Sequence, residues 1–148
     1  MTLYTIGFTQ KSAEQFFESL IKNGVQMLAD VRLNNRSQLA GFAKADDLQY
    51  FLRRIGGIDY EYCPDLAPEK ELLSRYRKKE VSWERYEVVY RELMERRGTY
   101  RSFPKRFAQY ENVCLLCSEA TPERCHRRLA AEMIAGAANG TVTVKHII

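Results

Sequence analysis

Residues 114 to 128, CLLCSEATPERCHRR, place three thiols, two carboxylates, one imidazole and three guanidinium groups within fifteen positions. That inventory suits a metal site, a disulfide, a reactive thiol, or an apolar strand followed by a basic helix. Cys114 and Cys117 have the spacing of half a zinc knuckle, but a knuckle turns at that point and Leu115-Leu116 offers no turn. NVCLLC (112–117) reads instead as a strand, in which side chains three apart face opposite ways. Cys114 is then expected in the core, which leaves Cys117, Cys125 and His126 as possible ligands. On the helix predicted from Thr121-Pro122 onward, Cys125 and His126 diverge, so no metal ligand set is assigned. A Cys117–Cys125 disulfide could span the loop, but in a reducing compartment it would be transient.

A reactive Cys117 has a stated energetic requirement. Free cysteine has a pKa near about 8.5, so a thiolate at neutral pH needs a shift of about two units, or roughly 2.7 kcal/mol. A helix terminus supplies about 0.3–1 kcal/mol, so a nearby cation is needed as well, with Arg124, His126 and Arg127 as candidates. The bland alternatives are concrete. Cys125, Leu129 and Met133 share one helix face and would pack on a sheet, and Glu123 and Arg127 form an i, i+4 pair that would simply support the helix.

These side chains need elements to hold them. LYTIG (3–7) reads as a first strand, and Ser12 with Gln15 forms a capping box ahead of the apolar face of Phe16, Phe17, Leu20 and Ile21. VQMLADV (25–31) is a strand covered on both faces, 32–44 a polar loop, and 46–55 a helix stopped by Gly56-Gly57. YEYC (60–63) is a weaker strand. Pro64 and Pro68 lead into a helical region with a helix over 82–97, whose aromatic stripe is expected to be core. After the 112–117 strand, a helix runs from Thr121-Pro122 to about Ala138, and 141–148 is the last strand. Strands alternating with helices predict a single three-layer α/β/α domain over 1–148, with a mostly parallel sheet of about five strands.

A parallel sheet gathers on one edge whatever follows each strand. Here that is Gly7-Phe8-Thr9, then Asp30-Val31-Arg32, then Cys117-Ser118-Glu119, with His146 near the end of the last strand. Arg32, Cys117, Glu119, His126 and Arg127 are therefore expected to converge on one cleft. An arginine fork, free backbone donors and a helix N-terminus there suit a phosphate or carboxylate.

Bulk properties narrow the partners. The chain of 148 residues, 45% hydrophobic and 28% charged, is an ordinary globule whose net charge of +4 permits an anionic partner without demanding one. No apolar run approaches the roughly 18 residues that span a bilayer, so no membrane partner is expected. MTLYTIGF lacks signal-peptide character, and the four cysteines then read as reduced thiols in the cytoplasm.

YTIGFT, LADVRLNNRSQ, CLLCSEATPERCHRR and the terminal VKHI together resemble the successive motifs of the domain-of-unknown-function 488 family. The acid followed by CHR after a strand is fairly specific, whereas DVR alone also occurs in rhodanese-like domains. The resemblance implies site positions at Gly7, Thr9, Asp30, Arg32, Ser37, Cys117, Glu119, Cys125, His126 and Arg127. It implies no reaction. The family pattern has His where this chain has Phe8, and Pro then Arg where it has Asn35 and Gln38. Phe8 cannot move protons or bind metal, so any role of that histidine is absent or has passed to His146.

Three functions compete. The first is a small enzyme acting on an anionic substrate of the phosphate, nucleotide or nucleic-acid type. Cys117, Glu119, His126 and Asp30 would be its catalytic groups, Gly7, Thr9, Arg32, Ser37 and Arg127 would hold the anion, and Cys125 and His146 would be structural or secondary. The second is a nucleic-acid-binding module using the basic and aromatic stretch RRGTYRSFPKRFAQY (96–110), whose rings could equally pack inward. The third is a zinc protein built on Cys117, Cys125 and His126. Which cofactor, if any, the protein takes is left open by the sequence.

Overall fold

The structure is a computed structural model that describes residues 1–148. Its five strands are β1 (Thr2–Gly7), β2 (Met27–Asp30), β3 (Asp59–Tyr62), β4 (Asn112–Cys117) and β5 (Thr143–His146). They form one sheet in the order β3-β2-β4-β1-β5, and every pairing is parallel. The α/β class expected from the alternation of elements is the one observed.

Both faces are covered, as a parallel sheet requires. Odd and even positions divide the strands cleanly. Tyr4, Ile6, Leu28, Cys114 and Leu116 pack under helices α1 (Ala13–Lys22) and α2 (Ala45–Phe51). Leu3, Ala29, Leu115 and Cys117 pack under α4 (Trp83–Arg97) and α6 (His126–Gly136), and residues of α3 (Lys70–Arg77) and α5 (Phe103–Arg106) join that same cluster. Cys114 and Cys117 thus lie on opposite faces of the sheet, as strand alternation dictates.

The local signals at the chain's start hold. Ser12 caps α1 through a full capping box with Gln15, and α1 buries Phe16, Phe17 and Leu20. From β1 the chain crosses β4 to reach β2, whereas from β4 it crosses β1 to reach β5. The connections leave these neighbouring strands in opposite directions. Their carboxyl ends, Gly7 paired with Cys117, therefore mark the switch point where open α/β sheets bind ligands.

Three expectations are corrected. Residues 32–44 are not all irregular: Gln38–Ala43 forms a 3-10 helix, capped by the Ser37 side chain on the N–H of Leu39. The stretch after Pro68, expected only as an undivided helical region leading to 82–97, contains a separate helix, α3, whose Leu72, Leu73 and Tyr76 pack on the core. Most consequential, α6 begins at His126 rather than at Thr121-Pro122, and Cys125 precedes it in extended conformation with no side-chain cap bond. The physical cause is Arg127. Its guanidinium is fully buried and donates to the Glu119 carbonyl at 2.6 Å, which requires residues 118–125 to fold back as a loop. A helix starting at Thr121 would have put Arg127 beside Glu123 in solvent, and that ion pair does not form.

Candidate active site

The 118–125 loop is held against the sheet at two points. A Cβ placed on Gly7 would lie 1.6 Å from the Glu119 carbonyl oxygen, so only glycine allows the loop to cross β1. Two residues on, the Thr9 backbone N–H donates to the Ser118 carbonyl at 3.1 Å. Arg127 completes the clasp, reaching Thr5 Oγ1 with Nε at 3.4 Å while its Nη2 is buried without a partner.

Folding the loop back gathers three side chains. Cys117, Cys125 and His126 are all buried, and their donor atoms lie within 4.8 Å of one another. Cys117 Sγ is 3.7 Å from both Nδ1 and Nε2 of His126, so neither N–H points straight at it. The Cys125 sulfur lies within 4.8 Å. This neighbouring thiol is the largest influence that lowers the Cys117 pKa from its ordinary value; burial opposes it, and the Ser118 N–H and the Arg127 charge add to it. Cys125 is correspondingly pushed well up, first by the Cys117 thiol and then by burial. The expected requirement for a cation is met only in part by Arg127, and a neighbouring thiol does more. On the other face, burial raises the Cys114 thiol far above its ordinary value.

His126 is oriented from behind. Its Nε2 lies 2.7 Å from the Val31 carbonyl, an acceptor only, so Nε2 carries the proton and Nδ1 is left free in the neutral ring. The Tyr90 ring sits 5.7 Å away, centroid to centroid.

Asp30 and Arg32 form a buried unit at the end of β2. Arg32 donates to Asp30 Oδ1 through Nε and to Oδ2 through Nη2, both at 2.8 Å. Tyr60 donates its hydroxyl to Oδ2 at 2.6 Å, and Asn35 adds a longer bond at 3.3 Å. Burial alone would push the Arg32 guanidinium down, but the hydrogen bond and charge of Asp30 outweigh it and the group is raised. Burial followed by the Asp30 charge pushes the Tyr60 hydroxyl up, which keeps it a donor. One Arg32 atom is left over: Nη1 is buried and has no partner. The guanidinium carbon lies 5.4 Å from the centroid of Phe8, the residue that replaces the expected histidine.

A cavity of about 560 Å³ opens above these groups. Cys117, Cys125 and His126 line it together with Arg32, Ser118 and Glu119. Helix α3 contributes Lys70 and Arg77, with Lys78 just beyond it, while Trp83 and Tyr86 form an aromatic wall and Arg124 comes from the loop. Four cations, Lys70, Arg77, Lys78 and Arg124, thus face a single carboxylate, Glu119, in addition to Arg32, whose charge Asp30 balances.

The convergence of Arg32, Cys117, Glu119 and His126 is as expected, and it now includes Cys125. Gly7, Thr9, Asp30, Ser37, Arg127 and His146 do not line the cavity. Gly7, Thr9 and Arg127 hold the loop, Asp30 holds Arg32, and Ser37 caps the 3-10 helix. His146 is exposed on β5, with Nδ1 2.6 Å from the Thr5 hydroxyl. Lys70, Ser74 and Arg77 went unread, although their i, i+4, i+7 spacing puts them on one helical face. In the 96–110 stretch Tyr100, Phe103 and Phe107 are buried, Arg101 pairs with Glu95, and Arg106 pairs with Glu61 and Asp65.

A family model described as "Domain of unknown function DUF488" matches residues 12–134. Neither the curated proteins nor the solved structures include a match to the chain.

Proposed function

The chain belongs to the DUF488 family, which is defined without an activity, and from that premise we propose that it is a small enzyme drawing an anionic substrate into the cavity above Cys117. The substrate class is one bearing phosphate, a nucleotide or a nucleic-acid end among them. The observation that carries this is the charge imbalance of the walls: Lys70, Arg77, Lys78 and Arg124 against Glu119 alone, over a sulfur at the floor and beside an Arg32 whose charge Asp30 balances.

The contributions differ in size. A solvent-exposed rim cation stabilises a bound anion by about 0.2–1 kcal/mol, screened by salt. A hydrogen bond from a buried guanidinium to a charged group is worth about 1.5–3 kcal/mol. Arg32 is therefore the principal anchor, since Asp30 already fixes its fork and leaves Nη1 to donate. The rim cations of α3 and the loop steer and add. Cys117 supplies the nucleophile, and Glu119 at the rim is the group positioned to exchange a proton with solvent and substrate.

The test is calorimetric titration of the protein with inorganic phosphate, pyrophosphate and nucleoside monophosphates at low and high salt. One saturable site is expected, weakened by salt and weakened further in Arg77→Ala/Arg124→Ala, which removes two exposed cations without touching the core. Binding that is absent, or equal in wild type and double variant, contradicts the proposal.

A further inference from the structure

We infer that Cys117, Cys125 and His126 form a binding site for a thiophilic divalent metal, zinc(II) foremost, with a fourth position supplied from the cavity. This stands apart from the anion-binding proposal, because it needs the three donors and none of the rim cations.

Distances are the first ground. A tetrahedral zinc with bonds of about 2.3 Å to sulfur and about 2.0–2.1 Å to nitrogen sets its ligand atoms about 3.5–3.8 Å apart. Cys117 Sγ lies 3.7 Å from His126 Nδ1, and all three donors fall within 4.8 Å. Small side-chain adjustments close the set, with no movement of strand or helix.

Preparation of the ligands is the second ground. Zinc-bound histidines characteristically donate their other N–H to a carbonyl or carboxylate, which fixes the ring. His126 does so already through Nε2 and the Val31 carbonyl at 2.7 Å, which leaves Nδ1 without a proton in the neutral ring and 3.7 Å from the Cys117 sulfur. The divergence of Cys125 and His126 expected for a helix starting at Thr121 does not occur. Cys125 stands before the helix in extended conformation and His126 is its first residue, so both side chains turn to Cys117.

The donor set selects the metal. Two thiolates and an imidazole favour zinc and its softer neighbours over calcium or magnesium. Two thiolates also neutralise the ion, so the charges of Arg32 and Arg127 oppose loading little. Only three side chains make up the group, and all three line the cavity. Water or an anion therefore completes the coordination, as in exchangeable rather than closed structural sites. In the loaded state the Cys117 sulfur is committed to the metal, so loading and attack by Cys117 exclude each other.

The test uses the full chain, reduced and stripped by chelator, titrated with Co²⁺. One ion per chain is expected, with thiolate-to-cobalt charge-transfer absorption and tetrahedral d–d bands that Zn²⁺ displaces. Changes in outer-shell partners alone cost about 10–100-fold in affinity, so loss of a ligand in Cys125→Ser should cost at least about 100-fold and remove about half of the charge-transfer intensity. Arg53→Ala, an exposed cation outside the cavity, should leave both unchanged. A titration without thiolate absorption, or equal Co²⁺ affinity in Cys125→Ser, overturns the inference. Should that variant prove unfolded by circular dichroism, alkylation of the wild type decides: Zn²⁺ should protect Cys117 and Cys125 but not Cys63, and equal labelling with and without Zn²⁺ overturns it. Cobalt binding without phosphate binding would sink the anion proposal alone, and the reverse result would sink this one alone.

Discussion

Arg32 and Asp30 meet in a two-pronged ion pair with almost no solvent exposure, and that pairing leaves the remaining guanidinium nitrogen, Nη1, buried without a protein partner. The Asp30 carboxylate, enclosed by Arg32, Tyr60 and Asn35, is fully buried, so it depends on its cation. Arg32→Met should therefore destabilise the fold by about 3–5 kcal/mol, the usual cost of an orphaned buried charge. In Asp30→Asn/Arg32→Met the loss should be clearly smaller than the sum of the single losses. Urea unfolding of the four proteins of this cycle measures the coupling, and simple additivity would contradict the pairing.

Gly7→Ala tests the loop clasp. The added methyl would sit 1.6 Å from the Glu119 carbonyl, and both groups are backbone-anchored. A destabilisation of at least about 2–3 kcal/mol is expected, together with displacement of the 118–125 loop. The denaturation midpoint reads the first effect and the alkylation rate of Cys125 the second. A variant of wild-type stability would mean that the loop does not cross β1 as described.

The thiols should label in a definite order. Cys117 has its pKa lowered, chiefly by the neighbouring Cys125 thiol, and lines the cavity, whereas Cys114 is buried on the opposite face with its thiol raised, and burial pushes the Cys63 thiol up to about 12. In chelator-treated native protein at neutral pH, iodoacetamide should modify Cys117 well before Cys114 or Cys63, as peptide mapping over time would show. Equal, slow labelling of all three would remove the reactive-thiol role and leave the anion cavity standing.

His146 predicts a pH effect of known sign. Burial first, and the Arg127 charge second, lower its pKa below 6.5, while Arg128 also lowers it and Glu132 and Glu123 raise it. A histidine depressed in the folded state is protonated more readily in the unfolded chain, so its contribution to stability is present above about pH 6.5 and is lost as pH falls through the folded value. His146→Gln should flatten the decline of melting temperature below pH 6.5. The change should be small, because the side chain is exposed. An unchanged slope would place His146 free of Arg127.

What the sequence disclosed depended on the range of the forces involved. Strands such as NVCLLC and the capping box of Ser12 with Gln15 are local patterns, and they appear where expected. The opposition of Cys114 and Cys117 follows from strand geometry alone. The start of α6 was not legible, because Thr121-Pro122 is a sound local start signal that a long-range demand overrides: burial of Arg127 against Glu119 and Thr5. The cation wall was missed for a similar reason. Lys70 and Arg77 share a helical face with Ser74, but α3 is short and largely exposed, and which way that face points is decided by packing on α4. Asp30 was readable as a buried acid needing a partner, whereas its enclosure by Tyr60 and Asn35 arises only in three dimensions.

The most direct measurement is a crystal structure of the protein grown with sulfate or phosphate. The anion should lie in the cavity, within hydrogen-bond distance of Arg32 Nη1 and facing the loop that carries Glu119 and Arg124. An anion found only on the 96–110 surface, with the cavity holding none at saturating concentration, would contradict the assignment of this site.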